Sequence, residues 1–414
     1  MKKLIILIIV FVIFVASIGA YFVFQISSFA DNKPIPKEPV VYPQKFLHVE
    51  GKKVVDENGN EVILRGFNIG SFKFASYKDL FPSQSLEKIN VFNDQNYKYY
   101  LTEEDIKDMK EMGANVLRAH SYMKFWTLET EPYQFNEGFV KTLDDLIDVA
   151  YRNGIYVIID LTEAGQNEPQ NENSFGNTLW TDQDLEQRVI AGWKYLAGHY
   201  ANNPGVAGYD ILNEPSPPTN EKFHSFYATV IKEIREVDKN HIIILDTKHF
   251  PLWEEGIRWG GEYDDDNIML TTHHYDDALE KYESNPSLAR YDTKEEIEQG
   301  IKESLSWPEL QNRPFFIGEF SALWDTGERG LQWTQDTIDL MNQYGIHWTY
   351  FSYKNIFGTK RGLYVAKELW LKDATEEQIK NLELGEKQRR LLSTEENYEI
   401  NQRIKETLEN GFKR

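Results

Sequence analysis

At 414 residues, with 66 acidic against 45 basic side chains and a formal net charge of −21, the chain can bury a large core but repels polyanions. Nucleic acid and anionic membrane surfaces are excluded as partners on that ground. There is no cysteine, so disulfides, cysteine nucleophiles and thiolate metal sites are excluded too.

The chain opens Met-Lys-Lys and continues with an uncharged apolar run from Leu4 to Phe24, long enough to span a bilayer. Lys2 and Lys3 keep that end cytoplasmic and put the rest of the chain outside. An uncleaved anchor is the favoured reading; a cleaved signal peptide ending near Ser28-Phe29-Ala30 is its rival. Residues 1–30 are therefore assigned as signal-anchor or signal peptide, and the protein as extracellular, either on the cell membrane or secreted. Residues 31–45, beginning Asp31-Asn-Lys-Pro-Ile-Pro-Lys-Glu-Pro39, form a stiff Pro-rich tether. Residues 46–414 make the folded domain.

Lys52–Val55 and Val62–Leu64 flank Asn58-Gly59, a hairpin signal. Eight apolar runs then predict core strands: Val62–Leu64, Asn115–Leu117, Ile155–Leu161, Val206–Leu212, His241–Leu245, Ile268–Thr272, Phe315–Ile317 and Ile346–Phe351. Helix-period segments alternate with them. Thr102 followed by Glu103, Glu104 and Asp105 predicts a helix start, Gly113 its end, and Asn153-Gly154 the end of the next helix. Strands alternating with helices build parallel β/α units, and eight of them predict an α/β fold, a single enlarged (β/α)8 TIM barrel with an N-terminal β-hairpin and extended βα loops. No Gly-x-Gly-x-x-Gly fingerprint supports a dinucleotide fold. Long loops are expected at 81–100 and 354–370, on the active face of such a barrel. The tail 374–414 reads as helical, with Ser393 and Glu396 at capping-box spacing.

Two carboxylates stand out. Glu214 closes Val206-Ala-Gly-Tyr-Asp-Ile-Leu-Asn-Glu, and Glu319 follows Phe315-Phe-Ile-Gly. A charge at the end of a buried strand is costly unless it does chemistry. Two in one cleft imply an acid and a base, as glycosidic bond cleavage requires: one carboxyl protonates the leaving oxygen while the other, about 5–5.5 Å away in retaining enzymes, attacks the anomeric carbon.

With these motifs the chain resembles glycoside hydrolase family 5, the cellulase-type (β/α)8 enzymes of clan A. Leu64-Arg-Gly-Phe-Asn68 is similar to the family's first strand and Asn115-Val-Leu-Arg118 to its second. Asn213-Glu214-Pro215 resembles the acid/base motif, His273-His-Tyr275 the strand-six motif and Phe316-Ile-Gly-Glu-Phe320 the nucleophile strand. The resemblance runs from about Phe46 to Tyr353. It implies a retaining glycosidase acting on a β-glucan or related β-glycoside, with Glu214 as acid/base and Glu319 as nucleophile. Two departures stand against the pattern: Asp160-Leu-Thr-Glu163 lacks the strand-three histidine, and Phe351 takes the place of the strand-eight tryptophan.

Arg118 and Tyr275 are expected to hold Glu319 ionised by charge pairing and a hydrogen bond, while Glu214 needs surroundings that keep it protonated. Asn213 is placed to donate to a sugar 2-hydroxyl. His273, Asn68, Trp324, Trp348 and Phe351 complete the candidate substrate-binding or supporting set. Trp126, Trp180, Trp253, Tyr350 and Tyr353 also lie just beyond predicted strands, as sugar platforms or as core filling. Plainer readings stand beside each role: Arg118 pairing with a helix acid, His273 as a core histidine, Asn68 in a turn before Gly70, Trp348 and Tyr353 as packing, Asp276 and Asp277 as helix caps. His274, one residue on from His273, faces the opposite side.

The expected partner is an oligo- or polysaccharide, bound by a monomer with no cofactor and no metal. Two rivals remain. One is a metal-dependent hydrolase using His273 or His274 with Asp276, Asp246 and His120. The other is a non-catalytic carbohydrate-binding surface protein on the same barrel.

Overall fold

In the computed structural model, described for residues 45–69, 101–127, 133–165, 178–246, 263–275, 292–305, 312–355, 361–367 and 398–413, β1 (Leu47–Glu50) and β2 (Lys53–Asp56) pair as an antiparallel hairpin. Eight parallel strands come next and close on themselves. They are β3 (Arg65–Ile69), β4 (Val116–Tyr122), β5 (Tyr156–Glu163), β6 (Val206–Asp210), β7 (Ile242–Asp246), β8 (Ile268–His273), β9 (Phe315–Phe320) and β10 (His347–Tyr350), in chain order around the barrel, β10 pairing with β3. The helices are α1 (Glu103–Met112), α2 (Met123–Trp126), α3 (Glu137–Arg152), α4 (Gln183–Tyr200), α5 (Asn220–Val237), α6 (Lys294–Leu305), α7 (Glu328–Gln343) and α8 (Gln402–Phe412).

Alternation along the strands sorts their side chains into two cores. Inward positions such as Val116, Ile158, Ala207, Ile242, Ile244, Met269 and Phe316 form a small inner cluster, which Leu47 and Val54 of the hairpin join. Outward positions such as Leu117, Ile159, Tyr209, Ile243 and Trp348 belong to the larger cluster shared with the helices. The predicted caps are present: Thr102 and Asp105 form a reciprocal capping box on α1, and Gly113 ends it in the left-handed region at φ 111°.

Several predicted boundaries move. The first barrel strand is β3 rather than Val62–Leu64, because Arg65, Gly66 and Asn68 broke its apolar pattern. The hairpin of β1 and β2 turns at Gly51 (φ 60°), one reversal earlier than predicted, while Asn58-Gly59 turns a second, short reversal held by the Val55–Glu61 bridge, by the Val62 N–H donating to the Val54 carbonyl and by Asp56 accepting from Asn58 and Asn60. β4 and β9 run past their apolar starts, so Glu319 lies within a strand rather than after it. The segment after β10 is partly strand, β11 (Lys354–Asn355) and β12 (Tyr364–Ala366), and the tail contributes β13 (Tyr398–Ile400) to the same small sheet.

The anchor and tether, the loop 81–100, Trp253, Asp276, Asp277 and the Ser393–Glu396 pair lie outside the described residues. Among those described, no helix is long and apolar enough to cross a membrane.

Closure depends on backbone approaching backbone. A Cβ on Gly66 would stand 1.7 Å from the Val116 carbonyl oxygen on the neighbouring strand, whereas one on Gly300 in α6 would meet nothing within 4 Å. Gly66→Ala is therefore expected to cost about 3 kcal/mol or more, and Gly300→Ala to gain up to about 1 kcal/mol, read from urea midpoints at constant slope.

Candidate active site

The C-terminal ends of the barrel strands carry a layer of polar side chains directed inward: Asn68 on β3, Arg118 and His120 on β4, Asp160 on β5, Asp210 on β6, Asp246 on β7, His273 on β8 and Glu319 on β9. The register sets them side by side, with Asn68 opposite Arg118, His120 opposite Asp160, Asp160 opposite Asp210 and His273 opposite Glu319. Gly318 makes room for this layer, since a Cβ there would sit 3.1 Å from His273 Nε2.

Arg118 is the hub and is wholly buried. Its Nε donates to Asp210 at 2.8 Å, Nη1 to Glu319 at 2.9 Å and to Asn68 at 3.1 Å, and Nη2 to Asp160 and Asn213, each at 2.9 Å. Burial works against its charge, but Asp160, Asp210 and Glu319 outweigh that and hold it protonated beyond the ordinary arginine range. The aspartates answer in the opposite direction. Burial raises Asp160 well above the usual carboxylate range and raises Asp210 as well, against the pull of Arg118.

Glu319 accepts from Arg118 on Oε1 and from the Tyr275 hydroxyl on Oε2 at 2.8 Å. Burial would raise its pKa, but His273, His120 and Arg118 together pull it below the ordinary glutamate range. Burial and the adjacent Glu319 keep Tyr275 a neutral phenol. Glu214 lies beyond the end of β6 with its backbone in the left-handed region, φ 44°, and its N–H donates to Asp246 at 2.7 Å. Its Oε1 lies 2.6 Å from His273 Nδ1. One oxygen of Glu214, one of Glu319 and a His273 nitrogen all lie within 4.8 Å of one another.

Burial alone would lower His273, yet Glu319, Asp246 and Glu214 raise it to about 10. It is a proton-bearing donor among three carboxyls at neutral pH rather than a free metal-ligand lone pair. Of the combination weighed for a metal hydrolase, His120 faces Arg118 and Asn68, His274 stacks on Trp333 of α7 at 5.5 Å, and Asp276 lies outside the described residues.

The aromatics divide. Phe351 is half-buried with its ring 5.7 Å from His120, so it stands at the site. Trp324, in a 3-10 turn after β9, is half-buried and donates to the Gly362 carbonyl at 2.7 Å. Trp348 corrects the expectation: it points outward, is fully buried, stacks on Phe412 of α8 at 4.8 Å and donates to Asn342. Tyr353 packs under Phe67 and donates to Asp108, and Trp126 lies against Trp193. Trp180 packs edge-on to Phe226. Asn68 is a buried support, donating to the Gly318 carbonyl at 2.8 Å, rather than turn chemistry.

Asp210 and Arg361 were not singled out from the sequence, and Asp160 and Asp246 only in passing. Asp246 directly follows an apolar strand run, the signal that drew attention to Glu319, whereas Asp160 and Asp210 lie inside such runs. Arg361 had no such signal; its guanidinium lies over the Tyr275 ring at 4.9 Å.

A closed parallel barrel with two carboxyls facing each other at the C-terminal ends of its strands defines an O-glycosyl hydrolase. The chain belongs to glycosyl hydrolase family 5, whose Cellulase family model matches residues 55–356. Among curated relatives, a β-xylosidase of Phanerodontia chrysosporium is 27% identical over 75% of this chain and 71% of its own length. Endoglucanase C of Acetivibrio thermocellus is 19% identical over 66% of this chain and 89% of its own. Cel5A of Thermotoga maritima, solved in a mutant form with cellobiose, shares the fold at a TM-score of 0.57, 21% identical over 84% of this chain and 96% of that one.

The His273 proton is linked to stability. Its folded pKa, about 10, exceeds the ordinary 6.5, so the stabilisation is complete below pH 6.5 and is lost as pH rises toward 10. Urea unfolding of the wild type is expected to show this group's slope, up to about 1.4 kcal/mol per pH unit in that window, and His273→Gln to lack it.

Proposed function

We propose that the protein is a retaining glycoside hydrolase that cleaves a β-glucan or related β-glycoside by double displacement. The observation that carries this reading is the pair Glu214 and Glu319, whose oxygens approach within 4.8 Å, the spacing of a direct nucleophile rather than of a pair with water between them. Glu319, kept ionised by Arg118, His120 and His273, attacks the anomeric carbon. The glycosidic C–O bond breaks as Glu214, drawing on the proton it shares with His273, protonates the leaving oxygen. In the second half Glu214 takes a proton from water, which attacks the anomeric carbon and frees Glu319.

Tyr275 holds the second oxygen of the nucleophile, and Asn213, its carbonyl fixed by Arg118, donates its amide to the sugar 2-hydroxyl. Phe351 and Trp324 serve as apolar walls for the sugar rings. The names of the relatives, endoglucanase and β-xylosidase, support a β-glucan or related β-glycoside as substrate. The N-terminal run Leu4–Phe24 supports placement outside the cell, anchored or secreted, and the enzyme acts as a monomer.

Incubation with β-glucans, β-mannan, xylan and aryl β-glycosides, with product sizing and an NMR assay of the first anomer formed, tests the reading. Release of the β-anomer is expected, with a loss of roughly 10²–10⁴-fold in kcat for Glu214→Ala and Glu319→Gln. Release of the α-anomer, or equal sugar release by wild type and Glu319→Gln, sinks it.

A further inference from the structure

Asp246 closes β7 beneath the two glutamates and is buried with 2% of its surface exposed. It has no place among the residues that touch the reacting atoms, yet it meets Glu214 by two routes. Through the first, its Oδ2 accepts the Glu214 backbone N–H at 2.7 Å, in a residue whose φ of 44° lies in the left-handed region. That conformation costs a non-glycine residue on the order of 1–2 kcal/mol, so the turn needs an outside hold, and a hydrogen bond to a carboxylate is a strong one. Through the second, the same oxygen lies 3.8 Å from His273 Nε2, while Nδ1 of that ring reaches Glu214 Oε1 at 2.6 Å. The carboxyl therefore holds the Glu214 backbone by a hydrogen bond and faces, by charge and without a hydrogen bond, the imidazole that meets the side chain of the same glutamate.

We propose that Asp246 is a positioning residue for the proton-transfer step: by anchoring the Glu214 backbone, with its charge facing His273, it aims the Glu214 carboxyl at the leaving oxygen. The inference rests on Glu214 being the acid/base. Asp246 is itself held from behind, since the Tyr227 hydroxyl of α5 donates to its backbone carbonyl at 3.1 Å. Burial, opposed by His273, raises its pKa to about 7, in keeping with a carboxyl that works by geometry in a crowded acidic layer.

The role separates from a merely structural one by its dependence on the leaving group. Phenyl β-cellobioside needs a proton on its departing oxygen and 2,4-dinitrophenyl β-cellobioside does not, so kcat/KM on the two reads the acid step directly. Glu214→Gln, measured alongside, is expected to lose roughly 10²–10⁴-fold on the phenyl substrate and little on the dinitrophenyl one. Asp246→Ala is expected to lose about 10- to 100-fold on the phenyl substrate alone, as misplacement of the acid by a fraction of an ångström demands. Asp246→Asn, whose side-chain oxygen still accepts the N–H, is expected to recover most of that loss. Equal losses on both substrates for a soluble Asp246→Asn or Asp246→Ala, or no loss in either variant, overturn the inference while leaving Glu214 in place. A Glu214→Gln variant that fails to distinguish the substrates overturns the acid/base reading and the inference with it.

Discussion

A single guanidinium, buried inside the barrel, organises the catalytic face. Arg118 engages carboxyls on three other strands, Asp160, Asp210 and Glu319, along with the amides of Asn68 and Asn213. Removing an arginine from water costs several kcal/mol, which good geometry and fully engaged N–H groups offset, and here all three of its nitrogens find acceptors. The arrangement ties five strands together around one charge. It also fixes an oxygen of Glu319 by a donor that cannot be deprotonated, so the carboxylate stays ionised in a place where burial alone would neutralise it.

The same layer is short of positive charge. Arg118 and His273 face Asp160, Asp210, Asp246, Glu214 and Glu319, and such a cluster settles by retaining protons on some carboxyls rather than by charging all of them. Asp160 is raised well above its ordinary range and Asp246 to about 7, while Glu319 alone of the shifted group moves down. His273 keeps its proton to about pH 10 because it sits among these carboxyls. The asymmetry comes from position: Glu319 lies against Arg118, His120 and His273 together, and the aspartates lie deeper, where desolvation dominates.

Most of the architecture was legible because its signals are local. Short β-branched runs such as Ile242-Ile-Ile-Leu245, the Thr102 cap and Gly113 depend on neighbours a few residues away, and each appears where the sequence placed it. The first strand was displaced because Gly66 and Asn68 serve the barrel interior: one is a close-approach glycine and one a polar support of the active layer, so neither looks like a strand residue. The tail was read as helix throughout, yet Tyr398–Ile400 pairs with β12, a long-range contact that overrides local propensity. Aromatic rings gave the weakest guidance. Trp348 within β10 and Phe351 just past its end go to different places, one against α8 and the other beside His120, and no local pattern distinguishes them.

From the amino-acid order alone came the barrel class, the two glutamates and the family motifs, since these rest on periodicity, breakers and short patterns carried by adjacent residues. Tertiary structure alone decided which side chains share a surface. It placed Glu214 and Glu319 within reach of each other, gathered Asp160, Asp210 and Asp246 beneath them, laid Arg361 over Tyr275 and turned Trp348 away. Those outcomes depend on barrel closure and strand register, which set distances between residues far apart in the chain and which no local pattern encodes.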